Sequence, residues 1–312
     1  MRLISFEEAD PLLEWSQIAD AMHQGHSLPK AEIGDLLLQS APNALLTRGA
    51  WIDGLGMAIK SMSVFPENTE RDPAIPSIQG GVLLFEGKTG GLKAVIDGIL
   101  ITKWKTAGDS ILGARLLAKP EPKTHVMVGA GTVAASIIEA YHAEFPSIER
   151  FVIYNRTEER AKALAETLSK KIPGIETTRN LADACKRADI LTSATMTTEP
   201  ILSGEWFKPG THVDLIGAYK PNMREAKDDL LLKSSIFVDS RDTTFGHIGE
   251  IEIPLKAGTI CREDVLGDLY DLCAKSVGRT SENEITLFKN GGGAHLDLMT
   301  GIHVFDKCDK SV

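Results

Sequence analysis

The stretch Thr124-His-Val-Met-Val-Gly-Ala-Gly-Thr-Val-Ala134 predicts a strand, a glycine turn and a helix in immediate succession. Gly129 lets the chain turn sharply, Gly131 lets the backbone approach a ligand, and Ala134 lets the helix pack closely on the strand. Free N–H groups at the start of such a helix bind anions. The stretch therefore predicts a site for the pyrophosphate of a dinucleotide.

A second apolar strand supports this interpretation, because a glycine turn alone is common between strands and helices. The predicted helix covers Val133–Ala143, with Thr132 and Val133 as candidate cofactor-binding residues, and the apolar run Phe151–Tyr154 follows it. That run begins about 20 residues after the turn, as a βαβ unit requires.

The tip of the second strand decides between the two nicotinamide dinucleotides. An acidic side chain there binds the ribose hydroxyls of NAD, whereas an arginine accommodates the 2′-phosphate of NADP. Asn155, Arg156 and Thr157 stand at this tip, which predicts NADPH as the cofactor and NADH as the alternative. In the competing interpretation, Arg156 is an ordinary solvated residue and Glu158 or Glu159 binds the ribose.

Composition excludes several other classes of protein. The net charge of -9 over 312 residues, with scattered Lys and Arg, argues against a nucleic-acid surface. No apolar run reaches the roughly 18 residues of a membrane helix, and the N-terminal residues lack a signal-peptide core. The cysteines and histidines lack zinc-ligand spacing, so we expect no metal site. A cytoplasmic enzyme with no nucleic-acid or membrane partner is the expectation.

The sequence predicts an α/β protein with two domains. Alternating strands and helices predict a doubly wound Rossmann domain over residues 119–283. Short apolar runs between Ala44 and Asp97, separated by Gly, Pro and Asn, predict mainly antiparallel strands. Residues 1–118 and 284–312 are therefore expected to form a discontinuous domain for substrate binding and dimerisation.

Two elements lie near the expected boundaries. Thr106–Leu117 is predicted to be a helix that leads into the Rossmann domain. Glu284–Lys289 is predicted to be a strand, and the helix after it is expected to return to the first domain.

Taken together, the motifs give a family resemblance over nearly the whole chain. They are Ala58-Ile-Lys60-x5-Pro66-x-Asn68, Asp97-Gly98, Thr102-x-x-Lys105-Thr106-Ala107, Gly129-Ala-Gly131, Asn155-Arg-Thr157, Gly217-Ala-Tyr-Lys-Pro221-x3-Glu225 and Glu284-Ile-Thr-x-Phe-Lys289. The chain resembles the ornithine cyclodeaminase and mu-crystallin family, in which these motifs occur in the same order. The resemblance implies a Rossmann domain joined to an antiparallel domain that pairs with its twin in a homodimer.

The same resemblance implies chemistry at the α-carbon of a small amino or imino acid. The family includes cyclodeaminases, reductases of cyclic imines such as Δ1-pyrroline-2-carboxylate, alanine dehydrogenases and mu-crystallins. Cyclodeaminases carry an aspartate at the position of Tyr219, and a phenol is a poorer base at neutral pH than a carboxylate. Glu225, Asp228 and Asp229 are expected on the next helix, so none of them obviously replaces that aspartate. A closed redox cycle also has no need of NADPH.

The missing aspartate and the expected use of NADPH favour a reductase of a five- or six-membered cyclic imine. Its substrate would be Δ1-pyrroline-2-carboxylate or Δ1-piperideine-2-carboxylate, and its product L-proline or L-pipecolate. Tyr219 is then a candidate catalytic residue that lines the substrate pocket. Three alternatives stay open: an ornithine cyclodeaminase, an alanine dehydrogenase, and a non-catalytic NADPH-binding protein like mu-crystallin.

The resemblance also implies the residues that contact substrate. Lys60 matches a residue near the imine, Arg48 is a second cation at the end of an early strand, and Lys105 stands where relatives have a carboxylate-binding arginine. Lysine keeps the charge there but loses the bidentate fork. Asp297 is expected either to stabilise the iminium or to act as a cap or salt-bridge partner.

The loops after the later strands complete the predicted cofactor site. Thr195 and Met196 follow the predicted strand Asp189–Ser193 and are expected near the nicotinamide ribose. Gly217 is expected where the backbone approaches the nicotinamide. His295 is expected to have a structural role.

Overall fold

The computed structural model describes residues 1–310, apart from the side chain of Thr69, and contains two compact units. The first unit combines Met1–Lys105 with the segment that begins at Gly293, and the second is Thr106–Gly292. The first unit is therefore discontinuous in sequence.

The strands and helices of the described residues are numbered in chain order. The strands are β1 (Arg2–Ile4), β2 (Glu32–Ser40), β3 (Asn43–Ile52), β4 (Gly56–Val64), β5 (Ile78–Phe85), β6 (Leu92–Asp97), β7 (Thr124–Val128), β8 (Arg150–Tyr154), β9 (Ile175–Thr178), β10 (Ile190–Ser193), β11 (His212–Leu215), β12 (Ser234–Val238), β13 (Val265–Gly267) and β14 (Ile285–Lys289). The α-helices are α1 (Phe6–Ala9), α2 (Trp15–Gly25), α3 (Gly98–Leu117), α4 (Thr132–Glu144), α5 (Glu158–Leu168), α6 (Leu181–Arg187), α7 (Asp228–Lys233), α8 (Arg241–Thr244), α9 (Gly249–Lys256), α10 (Leu269–Cys273) and α11 (Ala294–Asp309). Short 3-10 helices cover Asp10–Leu12, Pro66–Glu70, Gly204–Trp206 and Arg262–Asp264.

The sheet of the first unit is a meander with one added strand. Strands β2 to β6 pair antiparallel with their sequence neighbours, and β1 pairs parallel to β6, so the described order is β1-β6-β5-β4-β3-β2. Helix α11 packs on β3, β4 and β5. Side chains alternate across β4: Ala58 and Lys60 are buried, whereas Ile59 between them is exposed. Lys60 therefore belongs to the face of the sheet that α11 covers.

The second unit contains a parallel sheet. Its described order is β13-β12-β14-β11-β10-β7-β8-β9, and every pair in it is parallel. From β7 the chain first builds outward through β8 and β9, then returns to β10 on the other side of β7. The carboxyl ends of β7 and β10 therefore flank the crevice where ligands bind in open α/β sheets. The α/β class and the Rossmann-type sheet predicted from the sequence are confirmed.

The last strand lies in a different unit from the one expected. Strand β14 pairs with β11 and β12 inside the parallel sheet, whereas the sequence pattern predicts residues 284–312 as one part of the substrate domain. The boundaries between the units fall after Lys105 and after Gly292, and not at the expected positions near 118 and 284. A buried parallel strand has an unbroken apolar run, which does not reveal the sheet it joins.

Helix α3 is longer than predicted. It begins at Gly98 and not at Thr106, and the N–H of Leu100 donates to Asp97 Oδ1 at 2.8 Å in its first turn. Leu100 and Ile101 are fully buried, so packing extends the helix toward its N-terminus. Among the described residues, no helix combines the length and the apolar character needed to cross a bilayer.

Candidate active site

A buried ion pair joins Lys60 on β4 to Asp297 on α11. Lys60 Nζ lies 2.7 Å from Asp297 Oδ1, and the side chains are 9% and 2% exposed. Asp297 Oδ2 is also buried and has no hydrogen-bond partner among the described residues. Asp297 is therefore a salt-bridge partner of Lys60, and one of its oxygens remains available to another donor.

Further positive charge surrounds this pair. Burial lowers the pKa of Lys60 to about 8; Asp297 raises this pKa, whereas Lys105 and Arg48 lower it. Lys105 is 5% exposed, and its side chain forms no hydrogen bond or ion pair within residues 1–310. Lys60, Lys105 and Arg48 therefore add positive charge around the Asp297 carboxylate, which favours binding of a further anionic group.

Arg48 lies in the middle of β3 and not at the end of a strand as predicted. Its register partners are Asp35 on β2 and Lys60 on β4. Arg48 Nη2 lies 2.9 Å from Asp35 Oδ2, so the guanidinium is held from the side away from Lys60. The pairing of Asp35 with Arg48 follows from the register between β2 and β3. Strand β2 was not predicted, because Leu36-Leu37-Leu38 breaks the alternation of apolar and polar residues.

His295 was expected to be structural, but it lies in the same electrostatic environment. It is fully buried on α11, and its ring centroid is 5.3 Å from that of His26. Burial lowers the pKa of His295 to about 3, and Lys105 lowers it further. The imidazole is therefore neutral beside the cationic cluster.

The predicted pyrophosphate turn has the expected geometry at the carboxyl end of β7. Gly129 has a φ of 116°, and a Cβ on it would lie 2.8 Å from the carbonyl oxygen of Ala194. A Cβ on Gly131 would meet nothing within 4 Å, and no side chain caps α4. Thr132 at the start of α4 is exposed. An open glycine turn before an uncapped 13-residue helix fits the phosphates of a dinucleotide.

Two further loops adjoin this turn. Gly217 follows β11, and a Cβ on it would overlap the backbone of Thr195 after β10. The buried Glu225 carboxylate accepts hydrogen bonds from the N–H groups of both Thr195 and Gly217. Glu225 was predicted to lie on a helix but precedes α7. Its role was not foreseen because its partners are distant in sequence.

The tip of β8 carries an exposed arginine and, two residues later, a glutamate that is held in ion pairs. Arg156 is exposed, and Asn155 Nδ2 donates to the carbonyl of Thr157 at 2.8 Å. Glu158 forms ion pairs with Lys162 at 2.7 Å and with Arg179. These pairs lower the pKa of Glu158, chiefly through the hydrogen bond from Arg179. Arg179 follows β9, a strand that the sequence pattern did not reveal.

Two predicted residues have mainly exposed side chains. Met196 is 76% exposed and Tyr219 is 52% exposed. Lys220 Nζ lies 5.3 Å from the centre of the Tyr219 ring. Neither residue belongs to a buried polar cluster within its unit.

Comparison with known proteins agrees with this geometry. A model of the ornithine cyclodeaminase/mu-crystallin family matches residues 51–311. A Δ1-pyrroline-2-carboxylate reductase of Paracoccus denitrificans (strain Pd 1222) is 46% identical over 304 residues, which are 97% of this chain and 96% of the relative. Ketimine reductase mu-crystallin of Mus musculus is 34% identical over 233 residues, 75% of this chain and 71% of the relative.

Solved structures extend the similarity to the whole fold. The Thermococcus litoralis Δ1-pyrroline-2-carboxylate reductase, in complex with NADH and L-proline, matches with a TM-score of 0.92 at 28% identity, over 100% of this chain and 98% of that one. An archaeal alanine dehydrogenase dimer with bound NAD matches with a TM-score of 0.91 at 26% identity, over 100% and 97%. The chain is an enzyme of the oxidoreductase class and belongs to the ornithine cyclodeaminase/mu-crystallin family.

Proposed function

We propose that this enzyme reduces a cyclic imino acid, Δ1-pyrroline-2-carboxylate or Δ1-piperideine-2-carboxylate, to L-proline or L-pipecolate with NADPH. The observation that carries the proposal is the buried Lys60–Asp297 pair within a cationic cluster, in a chain 46% identical to a reductase of that name. A cyclic imino acid carries a carboxylate, which the cations can bind, and an imine that must be protonated, which the ion pair can serve.

The substrate carboxylate binds to Lys105, with Lys60 and Arg48 adding positive charge. Lys105 is buried and has no ion pair in the described part of the chain, so a carboxylate supplies the countercharge that a buried ammonium needs. Arg48 already pairs with Asp35 and therefore contributes mainly through its field. Lysine is a point charge, which fixes the carboxylate less rigidly than an arginine fork.

The imine nitrogen is handled by Lys60 and Asp297. Reduction adds a hydride to C2 and leaves a proton on nitrogen, so the imine must accept that proton before or during the transfer. Lys60 has a pKa of about 8 and supplies the proton at neutral pH. The free Asp297 Oδ2 accepts the resulting N–H and stabilises the iminium charge.

The second unit holds the dinucleotide. Gly129, Gly131 and the N–H groups of Thr132 and Val133 receive its pyrophosphate. The loop of Thr195 and Met196 and the backbone at Gly217 border the nicotinamide half. When bound there, a reduced nicotinamide dinucleotide supplies the hydride.

Preference for NADPH rests on the tip of β8. Arg156 is exposed, and Asn155 and Thr157 add small polar groups beside it. Glu158, one of the two glutamates that could instead bind a ribose diol, already pairs with Lys162 and Arg179. A 2′-phosphate therefore gains a guanidinium partner at this tip and meets no free carboxylate from Glu158.

A homodimer is part of the proposal, with a second copy covering the open face of the first unit's sheet. Exposed apolar side chains share that face: Leu36, Leu38, Leu45, Trp51, Ile59 and Leu83. Strand β2 is also a long edge strand, which would expose unpaired backbone groups. One of the similar solved structures is itself a dimer.

The test is a set of substrate assays on the purified protein. Oxidation of NADPH and of NADH is followed by absorbance with each cyclic imine, with pyruvate plus ammonia, and with no substrate; ornithine with NAD⁺ and no reductant is tested for ammonia release. We expect the highest kcat/KM with a cyclic imine and NADPH. Ammonia release from ornithine, or reductive amination of pyruvate at the highest rate, would overturn the assignment.

A further inference from the structure

One buried carboxylate collects four hydrogen bonds at the carboxyl edge of the parallel sheet. Glu225 is fully buried. Its Oε1 accepts from Ser193 Oγ at 2.5 Å, from Thr195 N at 2.8 Å and from Thr195 Oγ1 at 2.7 Å. Its Oε2 accepts from Gly217 N at 2.6 Å. A single side chain thus ties the loop after β10 to the loop after β11.

The tied loops are too close together for ordinary side chains. A Cβ on Gly217 would overlap Thr195, and a Cβ on Gly129 would lie 2.8 Å from the oxygen of Ala194. Backbone therefore packs on backbone at the ends of β7, β10 and β11. Such a junction has few side-chain contacts of its own, so the hydrogen bonds to Glu225 determine the relative position of two of its three loops.

These loops lie on the nicotinamide side of the crevice. A dinucleotide in this fold spans the point where the strand order reverses, with its pyrophosphate on the helix after the first strand. The tip of β8, with Arg156, lies on one side of β7, and β10 and β11 lie on the other. Adenosine at β8 therefore leaves the nicotinamide half to the loops that Glu225 holds.

The four donors require an ionised carboxylate. Two of them are backbone N–H groups that cannot rotate, and a glutamine would turn an N–H toward one of these donors. Burial raises the pKa of Glu225, whereas the buried Lys289 favours its ionised form. Glu250 in turn accepts from the N–H groups of Glu225 and Ala226 at 2.7 and 2.9 Å, which secures the backbone that carries the carboxylate.

We infer that Glu225 is a positioning residue for the nicotinamide end of the cofactor, acting through the backbone of Thr195 and Gly217. It does not touch the cofactor; it sets the distance between the two loops that do. The inference rests on the proposed dinucleotide function, but it does not depend on the identity of the imine.

The test compares whole and truncated cofactors. Dissociation constants for NADPH and NADH, and for the fragments that lack nicotinamide, 2′-phospho-ADP-ribose and ADP-ribose, are measured by calorimetry on the intact protein and on Glu225→Gln. Loss of charge-assisted hydrogen bonds should weaken binding of the whole cofactors about tenfold. Binding of the fragments should change less than about twofold, because their contacts lie at β7 and β8.

Glu250→Gln is the matched control. It makes the same change of charge at a fully buried site that contacts backbone and not the two loops. Because Glu250 reaches the two loops only through the backbone of Glu225, we expect this variant to lose thermal stability and to change the ratio between whole-cofactor and fragment affinity less than Glu225→Gln does. An equal loss for whole cofactors and fragments in Glu225→Gln, or the same change of ratio in both variants, would overturn the inference.

Ser193→Ala serves if Glu225→Gln does not fold. It removes one donor to Glu225 and leaves the carboxylate ionised, so the affinity ratio should shift in the same direction by about threefold. An unchanged ratio in the folded variant would also overturn the inference. Failure of the proposed reaction looks different: the wild type would bind dinucleotides normally and reduce no cyclic imine.

Discussion

Asp297 and Lys60, 237 positions apart in sequence, place Oδ1 and Nζ 2.7 Å from each other in the interior of the first unit. A buried ion pair is a weak source of stability, since desolvation of both charges offsets their attraction. Here the carboxylate also leaves Oδ2 without a partner in the described chain, and Lys105 and Arg48 oppose the charge on Lys60. These neighbours make the charged form of Lys60 less stable, which suits a side chain that must release a proton.

The pH dependence of reduction should report on this pair. The protonated form of Lys60 is the proton donor, so kcat/KM should fall as the pH rises through about 8. Asp297 raises the pKa of Lys60, so Asp297→Asn should move the alkaline limb to lower pH. Lys60→Arg keeps the positive charge but does not release a proton in this pH range, so it should lower kcat/KM at every pH.

The measurement is kcat/KM for the cyclic imine with saturating cofactor over about pH 6 to 10. Titration of the free imine contributes equally in all three proteins, so differences between them belong to the enzyme. Identical alkaline limbs in the wild type and both variants would remove Lys60 as the proton donor.

Removal of Lys105 should weaken substrate binding more than turnover. Lys105→Ala takes away a charge-assisted contact to the carboxylate, and we expect KM for the imine to rise about 10- to 100-fold. Lys105→Arg should keep or improve KM because the fork binds a carboxylate in two places. Lys103→Ala is the matched control, since Lys103 on the same helix pairs with Asp10 at 2.6 Å. The measurement is KM for the imine in each variant by steady-state kinetics. An unchanged KM in Lys105→Ala would mean that the carboxylate binds elsewhere.

Cofactor preference should depend on Arg156. Arg156→Ala should lower kcat/KM for NADPH about tenfold or more and leave that for NADH within about twofold, because only NADPH carries the 2′-phosphate. Arg160→Ala changes an exposed arginine on the next helix and should affect neither cofactor. The ratio of kcat/KM for the two cofactors is the readout. An equal loss with both would assign Arg156 to a part that NADPH and NADH share.

Local patterns were enough to predict the central strands β7, β8, β10 and β11 of the parallel sheet, but not β9 or β13. The glycine turn, the apolar runs and the Asn cap of α6 are local signals; Asn180 accepts a hydrogen bond from the N–H of Asp183 at the start of that helix. Strand β2 was not predicted, because Leu36-Leu37-Leu38 does not alternate between apolar and polar residues. Leu36 and Leu38 are exposed on the face that we propose a second copy covers, and no local pattern identifies such a face.

In the candidate site, too, residue patterns predicted individual residues but not the contacts between them. The family resemblance predicted Lys60 and the strand tip predicted Arg156 as candidates, but the pairing of Lys60 with Asp297 depends on the return of α11 to β4. Glu225 was visible as the end of a motif, yet its partners Ser193, Thr195 and Gly217 are brought together only by the order of β10 and β11 in the sheet. Contacts distant in sequence are set by topology, which a residue pattern does not specify.

A charge on the open sheet face should prevent self-association. Ile59→Glu places a carboxylate among exposed apolar side chains of β3 and β4, and burying it in a dimer interface would cost several kcal/mol. We expect a dimer for the wild type and a monomer for the variant by light scattering after gel filtration. Leu232→Glu, at an exposed position of α7, is the control and should remain dimeric. A monomeric wild type would contradict the proposed interface.

The hydroxyl of Tyr219 should be dispensable for reduction. Its side chain is half exposed and rests near Lys220, and its hydroxyl forms no hydrogen bond with any described residue. Tyr219→Phe should therefore keep kcat within about twofold. On the proposal that its ring lines the substrate pocket, Tyr219→Ala should raise KM. Kinetics of both variants with the preferred imine separate the roles: a loss of about 100-fold or more in kcat for Tyr219→Phe would make the hydroxyl a proton donor and leave Lys60 with substrate binding alone.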